Sequence, residues 1–441
     1  MPHYPRVFRV RQSFENTQVT DVAATTIAEL KRLKLSDRVQ AGQTVAITAG
    51  SRGITNIPLI LRAAVRYFQS IGAKPFIVAA MGSHGGATAE GQLEVLGTLG
   101  INEDSCGCPI RSSMETVTLC RTTEGFPVHF DRHAFEADHV LVCGRIKPHT
   151  DFAGEIESGL MKMMLIGLGK CDGAKIYHRA IQDFSFDQIV RSVAGRVLAE
   201  CRILAGLAIV ENGYDQTALI EAVLPQEILE REKQLLVLAR RLLPRLPFPR
   251  VDVLLVDVIG KDISGCGLDT NVVGRKFNEH EARPDEWPKV RRIALRDLTV
   301  ATHGNANGTG IAELCTSRLV SQIEWERTRL NCVTSGRLAG AMLPMVYPTD
   351  QAMLDAALVT IGLVEPPDAK FLWIRDTLHL AEVECGEAYL AEARSRPDLE
   401  ILTEPRPLPF QADGNLPSDG VLSLAGGKYP ACAPRAECRT V

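Results

Sequence analysis

Apolar residues in this chain come in short runs closed by glycine. Residues 44–53 (TVAITAGSRG) read as a buried strand running into a Gly-containing turn. Residues 57–71 then alternate apolar and polar positions with helical period, and 74–81 (KPFIVAAM) form a second apolar strand ending in GSHGG. A strand, helix and strand of this length predict a parallel pair. Further strands are predicted at 139–143, before GRIKPHT, and at 204–210, before ENGYD. A charged, Leu-rich helix from about residue 226 to 243 precedes the breaker-rich PRLPFPR of 244–250. Beyond it the pattern restarts with strands at 251–259, 293–298 and 370–374. The reading is an α/β protein. It has two α/β domains with mainly parallel sheets and a cofactor or substrate cleft between them. The domains are an N-terminal catalytic one over 1–247 and a C-terminal one over 248–406, followed by a Pro/Gly-rich arm or tail over 407–441.

Composition narrows the classes. At 441 residues the chain is too long for a small stapled scaffold. Forty-nine basic residues against 53 acidic ones give a net charge of −4, so no sequence-wide positive field invites nucleic acid or an anionic membrane. The apolar runs are of strand length, not membrane length. MPHYPRVFRV lacks the build of a signal peptide. Twelve cysteines are scattered along the chain, several (Cys143, Cys201, Cys332) in apolar surroundings where a thiol packs as a small hydrophobe. Cys106-x-Cys108 is one residue short of a CxxC zinc half-site and no second pair answers it, while Cys432 and Cys438 lie in the tail. A reduced, cytoplasmic protein is expected.

The candidate chemistry lies just after predicted strands, where open parallel sheets collect ligands. Three such loops carry Arg52, then His84 inside GSHGG, then His149 inside KPHT. If the strands are parallel, the three side chains share one edge of the sheet. Arginine offers a planar fork for a carboxylate or phosphate. Two histidines suit a general acid/base pair near neutral pH. The glycines around His84 would allow close approach of a substrate, or would simply make a strand-to-helix turn. The stretch SGLMKMMLIGLGKCDGAKIYH follows, with Lys162, Lys170, Lys175 and a terminal His178. Burial of Lys162 among methionines and leucines would make it a better nucleophile or hydride-site neighbour; on an amphipathic helix it would snorkel instead. GLGK lacks the spacing of a phosphate-binding loop. In the second half, GLDTNVVGRK and THGNANGTG offer Asn271, Arg275 and Asn305 as contacts for a nucleotide phosphate or a substrate end, or as tight-turn residues.

The ordered set of strand-SR, GSHGG, PHTDFAGEIESGLMK and then YH, with His178 sixteen residues after Lys162, resembles the lactate racemase family. Members of that family use a nickel-pincer nucleotide, a pyridinium-dithiocarboxylic acid mononucleotide holding nickel. The resemblance implies that His84 and His149 are the two acid/base histidines. It implies Lys162 as the lysine that can hold the cofactor through a sulfur-containing linkage, His178 as the protein ligand of nickel, and Arg52 as a contact near cofactor or substrate. A planar nickel with one histidine ligand is chemically sensible. The implied reaction is hydride shuttling. One histidine takes the hydroxyl proton of a 2-hydroxy acid as its C–H hydrogen leaves as hydride, and return to the other face inverts the centre. The chain departs from the family pattern where Ala49-Gly50-Ser51 precede Arg52, where Gly85 follows His84, in the longer 149–162 segment, and at Gly159-Leu160-Met161. The implied substrate is therefore a 2-hydroxy acid or related polyol acid, with lactate itself not specified. Its implied partners are that small acid and the enzymes that make and load the cofactor.

Two other classes stay open on the residues alone. A zinc-dependent hydrolase would use His84, His149 and His178 as ligands, with Glu155 or Glu157 activating water. A non-catalytic small-molecule-binding protein would use the same residues without turnover. A conventional NAD dehydrogenase is disfavoured, because no GxGxxG follows the early strands. The sequence leaves the oligomeric state open.

Overall fold

The computed structural model describes residues 4–278, 280–417 and 421. The described residues form two compact units, divided at Leu243/Pro244, and residues 4–14 belong with the C-terminal one. Strand β1 (Val7–Gln12) is therefore an element of the second unit's sheet, where the sequence pattern had placed it in the first domain. Its register explains the crossover. β1 pairs antiparallel with two strands from near the end of the chain, in pairs that include Val10 with Val383 and Val10 with Ile401.

The N-terminal unit is built on a six-stranded sheet. It contains β2 (Thr44–Ala49), β3 (Lys74–Ala79), β4 (Ile110–Arg111), β7 (His139–Arg145), β8 (Ile203–Glu211) and β9 (Thr217–Val223). Between β4 and β7 a separate antiparallel hairpin intervenes, β5 (Thr116–Arg121) with β6 (Pro127–Asp131). The sheet order is β4-β3-β2-β7-β8-β9, with every neighbouring pair parallel except β8–β9. Alternation of side chains sends Val78, Val140, Val142 and Ala208 into one apolar core, and Ile47, Ile77, Leu141 and Leu207 into another. Both faces are thus buried, which is why these strands read as nearly continuous apolar runs. The helix Ile57–Ser70 makes the predicted crossover from β2 to β3.

The C-terminal unit carries an eight-stranded mixed sheet. Its further strands are β10 (Arg250–Ile259), β11 (Lys289–Leu298), β12 (Leu314–Thr316), β13 (Met345–Tyr347), β14 (Phe371–Ile374), β15 (Glu382–Gly386) and β16 (Leu399–Ile401). The order is β13-β12-β11-β10-β14-β15-β1-β16, parallel from β13 to β14 and antiparallel beyond. The 244–250 segment is less of a linker than its prolines suggest, since Phe248 is buried and stacks on Tyr389 at 3.9 Å. Nor is the described part of the tail loose. Leu408 and Leu416 are buried with Trp373 and Met353. Buried Arg296 joins Asp257 at 2.6 Å and Asp350 at 2.8 Å, and also donates to the carbonyls of Leu416 and Pro417. Pro and Gly there shape a docked segment. Cys432 and Cys438 lie outside the described residues. No helix among the described residues is long and apolar enough to cross a membrane.

Candidate active site

The parallel order of β3, β2 and β7 brings the Arg52, His84 and His149 loops to one edge of one sheet. A single segment, residues 159–180, crosses that edge. A Cβ placed on Gly50, after β2, would lie 3.0 Å from Met163 Cε, and one on Gly144, within β7, 3.7 Å from the same atom. After β3, the Gly82 amide donates to the Gly167 carbonyl at 3.3 Å. The glycines at these strand ends therefore admit the chain's own backbone and methionine side chain.

The crossing segment is not one helix. It runs as Leu160–Lys162, a π-helical turn Met163–Gly167, and then the helix Lys170–Ala180, with Lys170 in the left-handed region at φ +53°. On an uninterrupted α-helix, Lys162 and His178 would stand roughly 24 Å apart along the axis and about 160° apart around it. Instead the Lys162 ammonium is close enough to oppose protonation of His178. The π turn and the left-handed corner fold the two halves towards each other, and π turns are frequent at functional sites. Entry to the segment is fixed by Glu232, fully buried on the helix Ile228–Leu242, whose Oε2 accepts from the Met161 amide at 2.9 Å. A Cβ on Gly159 would lie 2.3 Å from Glu232 Oε1, so only glycine fits there. Burial pushes this carboxyl up to about 7, against the stabilising amides of Met161 and Leu160.

The histidines are held in opposite senses. His84 Nδ1 lies 2.8 Å from the Met81 carbonyl, which only accepts, so Nδ1 carries the hydrogen and Nε2 the lone pair. His149 Nδ1 accepts from the amides of Asp151 (3.0 Å) and Phe152 (3.2 Å), so its hydrogen sits on Nε2. The His149 amide donates to Glu157 at 2.6 Å, and Glu157 pairs with Arg240 at 2.7 Å. A bridge between Lys147 and Ser158 closes the loop. The His149 ring stacks on Phe152 at 4.1 Å, Phe152 stacks on Phe186 at 4.2 Å, and Lys162 Nζ stands 5.5 Å from the Phe152 centroid. His149, Phe152 and Lys162 form one contiguous group, and the charge of Lys162 is felt at His178.

His178 Nδ1 is buried with no hydrogen-bond partner among the described residues. Burial first, and Lys162 second, hold this imidazole down to about 4, so it is neutral at physiological pH. A buried, neutral, unpartnered imidazole nitrogen is a suitable metal ligand. Among the described residues no group of three or more His, Cys, Asp or Glu side chains is placed to hold a metal ion. The three-histidine zinc site that the sequence left open thus has no counterpart. Its proposed water-activating carboxylates are engaged elsewhere, Glu157 with Arg240 and Glu155 with Arg191 and Lys233. A single imidazole nitrogen of this kind fits a metal whose other ligands a pincer nucleotide would bring.

The lactate racemase N-terminal domain family matches residues 9–185, a span that includes Arg52, His84, His149, Lys162 and His178. Residues 9–185, less than half of the chain, are thus similar to a lactate racemase N-terminal domain. Among solved structures it is similar to the lactate racemase apoprotein from Thermoanaerobacterium thermosaccharolyticum, at 13% identity and a TM-score of 0.50, over 84% of this chain and 98% of that one. This likeness bears on the fold. A protein from Thermotoga maritima is similar at 15% identity and a TM-score of 0.47, over 64% of this chain and 72% of that one. No curated protein matches the chain.

Against that lactate racemase framework, the remaining expected contacts divide. Arg52 is exposed in the loop after β2. Arg275 is fully buried in the C-terminal unit, donating to Glu313 at 2.7 Å and to the carbonyls of Ile311, Val290 and Arg291. Its guanidinium ties structure together inside the unit and is not exposed for a nucleotide. Asn271 donates to Asp269, the cap of a one-turn helix, and the Asn305 side chain accepts from the Asn307 amide. Both do turn chemistry. Lys170 is fully buried in an ion pair with Asp131 at 3.3 Å. Burial pushes Asp131 up and Lys170 down, and each partner's charge opposes the other's shift. Gly85 serves the chain itself, since a Cβ there would lie 2.5 Å from the Gly91 backbone at φ +67°. Glu232, Gln92 and Arg240 carry no local signal in the sequence, because Met161, Lys170 and Glu157, which they bind, lie 71, 78 and 83 residues away; Phe152 stands three residues from His149, but an aromatic residue there reads equally well as core.

Proposed function

We propose that the chain is a nickel-pincer nucleotide-dependent racemase or epimerase of a 2-hydroxy acid or related polyol acid. The observation that carries this reading is the buried Nδ1 of His178, unpartnered among the described residues and within reach of the Lys162 charge, in a segment that a lactate racemase domain family matches. When bound, the cofactor supplies nickel and a pyridinium ring able to accept and return a hydride. His178 would hold the metal and Lys162 the ring, with Phe152 and Phe186 forming an apolar wall beside the lysine. Arg52 supplies a fork for the substrate carboxylate. His84, with its lone pair on Nε2, takes the hydroxyl proton as the carbonyl forms, while His149 donates a hydrogen bond from Nε2. Inversion in the reverse sense exchanges these roles. That requires the Asp151 and Phe152 amides to release His149 Nδ1. Ten described cysteines are free thiols, which supports a reducing, cytoplasmic setting where the cofactor-making enzymes would load the protein.

The test is a panel of 2-hydroxy acids incubated in D2O with protein co-expressed with those enzymes. Inversion without deuterium at C2, abolished in His84→Ala, is expected from hydride transfer. Inversion with full solvent deuterium would mean proton abstraction at carbon and overturn the mechanism.

A further inference from the structure

Lys170 and Gln92 have no part in the chemistry above, yet both are fully buried and touch its framework from two sides. Lys170 Nζ donates to the Ala79 carbonyl at the end of β3 (2.6 Å) and to Gln92 Oε1 (2.8 Å), and pairs with Asp131 on β6. Gln92, on the helix Ala89–Thr98, passes this on. Its Nε2 donates to the carbonyl of Gly82 at 2.9 Å and, more weakly, to that of His84 at 3.4 Å.

The order of donors and acceptors is forced. A primary amide has one accepting end and one donating end of nearly the same shape. An ammonium only donates, so Lys170 must take the Oε1 end. The NH2 end then points at two carbonyls, which only accept. Reversal would face donor with donor and acceptor with acceptor in a buried site, where unpaired polar groups are most costly. The carbonyls so held bracket the turn in which His84 is bonded to Met81 through both its amide and its Nδ1. The same Lys170 forms the left-handed corner between the Lys162 and His178 halves of the crossing segment.

We propose that Lys170 and Gln92 are positioning residues that fix the His84 turn, and with it the tautomer that carries its hydrogen on Nδ1. Lys170 ties that turn to the corner joining Lys162 to His178. The proposal rests on the reading of His84 as an acid/base group only for its catalytic consequence.

The test uses the full chain and two readouts. Gln92→Glu keeps an acceptor for Lys170 but loses both donors to the carbonyls; Gln92→Leu removes both ends. Histidine-selective 15N NMR reports tautomers directly. In wild type His84 is expected as Nδ1–H and His149 as Nε2–H. In both variants the ratio of Nδ1–H to Nε2–H at His84 should fall at least about tenfold, with His149 unchanged. Cofactor-loaded variants should lose about tenfold or more in kcat, with KM and nickel content within about twofold of wild type. An unchanged His84 tautomer in folded Gln92→Glu and Gln92→Leu overturns the proposal. A shifted tautomer with undiminished turnover upholds the positioning and overturns the acid/base reading of His84. If either variant fails to fold, Lys170→Met/Asp131→Leu, which removes the buried pair together, carries the same NMR prediction.

Discussion

His84 and His149 follow strands of one parallel sheet, but the chain supports them by different means. The His84 turn is held by side chains in the interior: Lys170, Gln92 and Asp131, all fully buried. The His149 turn is held by backbone amides on its ring, by buried Glu157 paired with the half-exposed Arg240, and by a stack of aromatic rings. One imidazole donates through Nδ1 and the other accepts there. Equivalent positions at a sheet edge thus acquire unlike proton chemistry from their second neighbours, which a motif written as His…His does not convey.

The largest effect that would break this contrast is expected at the interior support. Lys170→Met leaves Asp131 as a buried, uncompensated carboxylate and should cost about 3–5 kcal/mol in urea unfolding of the N-terminal unit. Lys170→Met/Asp131→Leu should recover most of it, because a buried pair replaced by apolar groups is often nearly neutral. A single variant destabilised by under about 1 kcal/mol would mean that the pair is not closed off from water.

Next in size is Glu232, the support of the Lys162 entry. Its native carboxyl is raised from the ordinary 4.5 to about 7. The native state therefore keeps a proton that the unfolded chain loses. Stability is fullest below about pH 4.5 and declines by about 3 kcal/mol as pH rises through about 7. Glu232→Gln should flatten that decline in unfolding curves measured from pH 4.5 to 8. A slope unchanged by the substitution would place the titration elsewhere.

The smallest effect should fall on the His149 side. Phe152→Leu keeps the apolar bulk but loses the stack on His149 and Phe186, worth about 0.5–1.5 kcal/mol. The His149 ring resonances should broaden or shift while those of His84 stay in place. Movement at both histidines would mean that the two supports are one network.

Much of this was legible before the fold was known. Strands buried on both faces write themselves as unbroken apolar runs, so β2, β3, β7, β8 and β10 were visible as such. The placing of Arg52, His84 and His149 at one edge followed from their parallel order. β1 was missed as part of the second unit because its partners lie some 375 residues away, beyond any local signal. The π turn and the corner at Lys170 were hidden for a related reason. Their purpose, bringing Lys162 to His178, is a tertiary demand that overrides helical period. In the C-terminal unit the Asn- and Gly-rich loops drew attention to Arg275 and Asn271. Composition cannot tell a polar residue facing a ligand from one satisfied by Glu313, by carbonyls or by a neighbouring cap.

The central claim is that His178 and Lys162 receive a nickel-bearing nucleotide. It is tested most directly by intact mass and metal analysis of protein co-expressed with the cofactor-making enzymes, wild type beside His178→Ala and Lys162→Ala. The account predicts one nickel per chain with a nucleotide-sized component in wild type, and loss of nickel in His178→Ala. An adduct absent only in Lys162→Ala would make that lysine the covalent anchor. Full nickel retention in His178→Ala, or zinc alone without nucleotide in wild type, would contradict it.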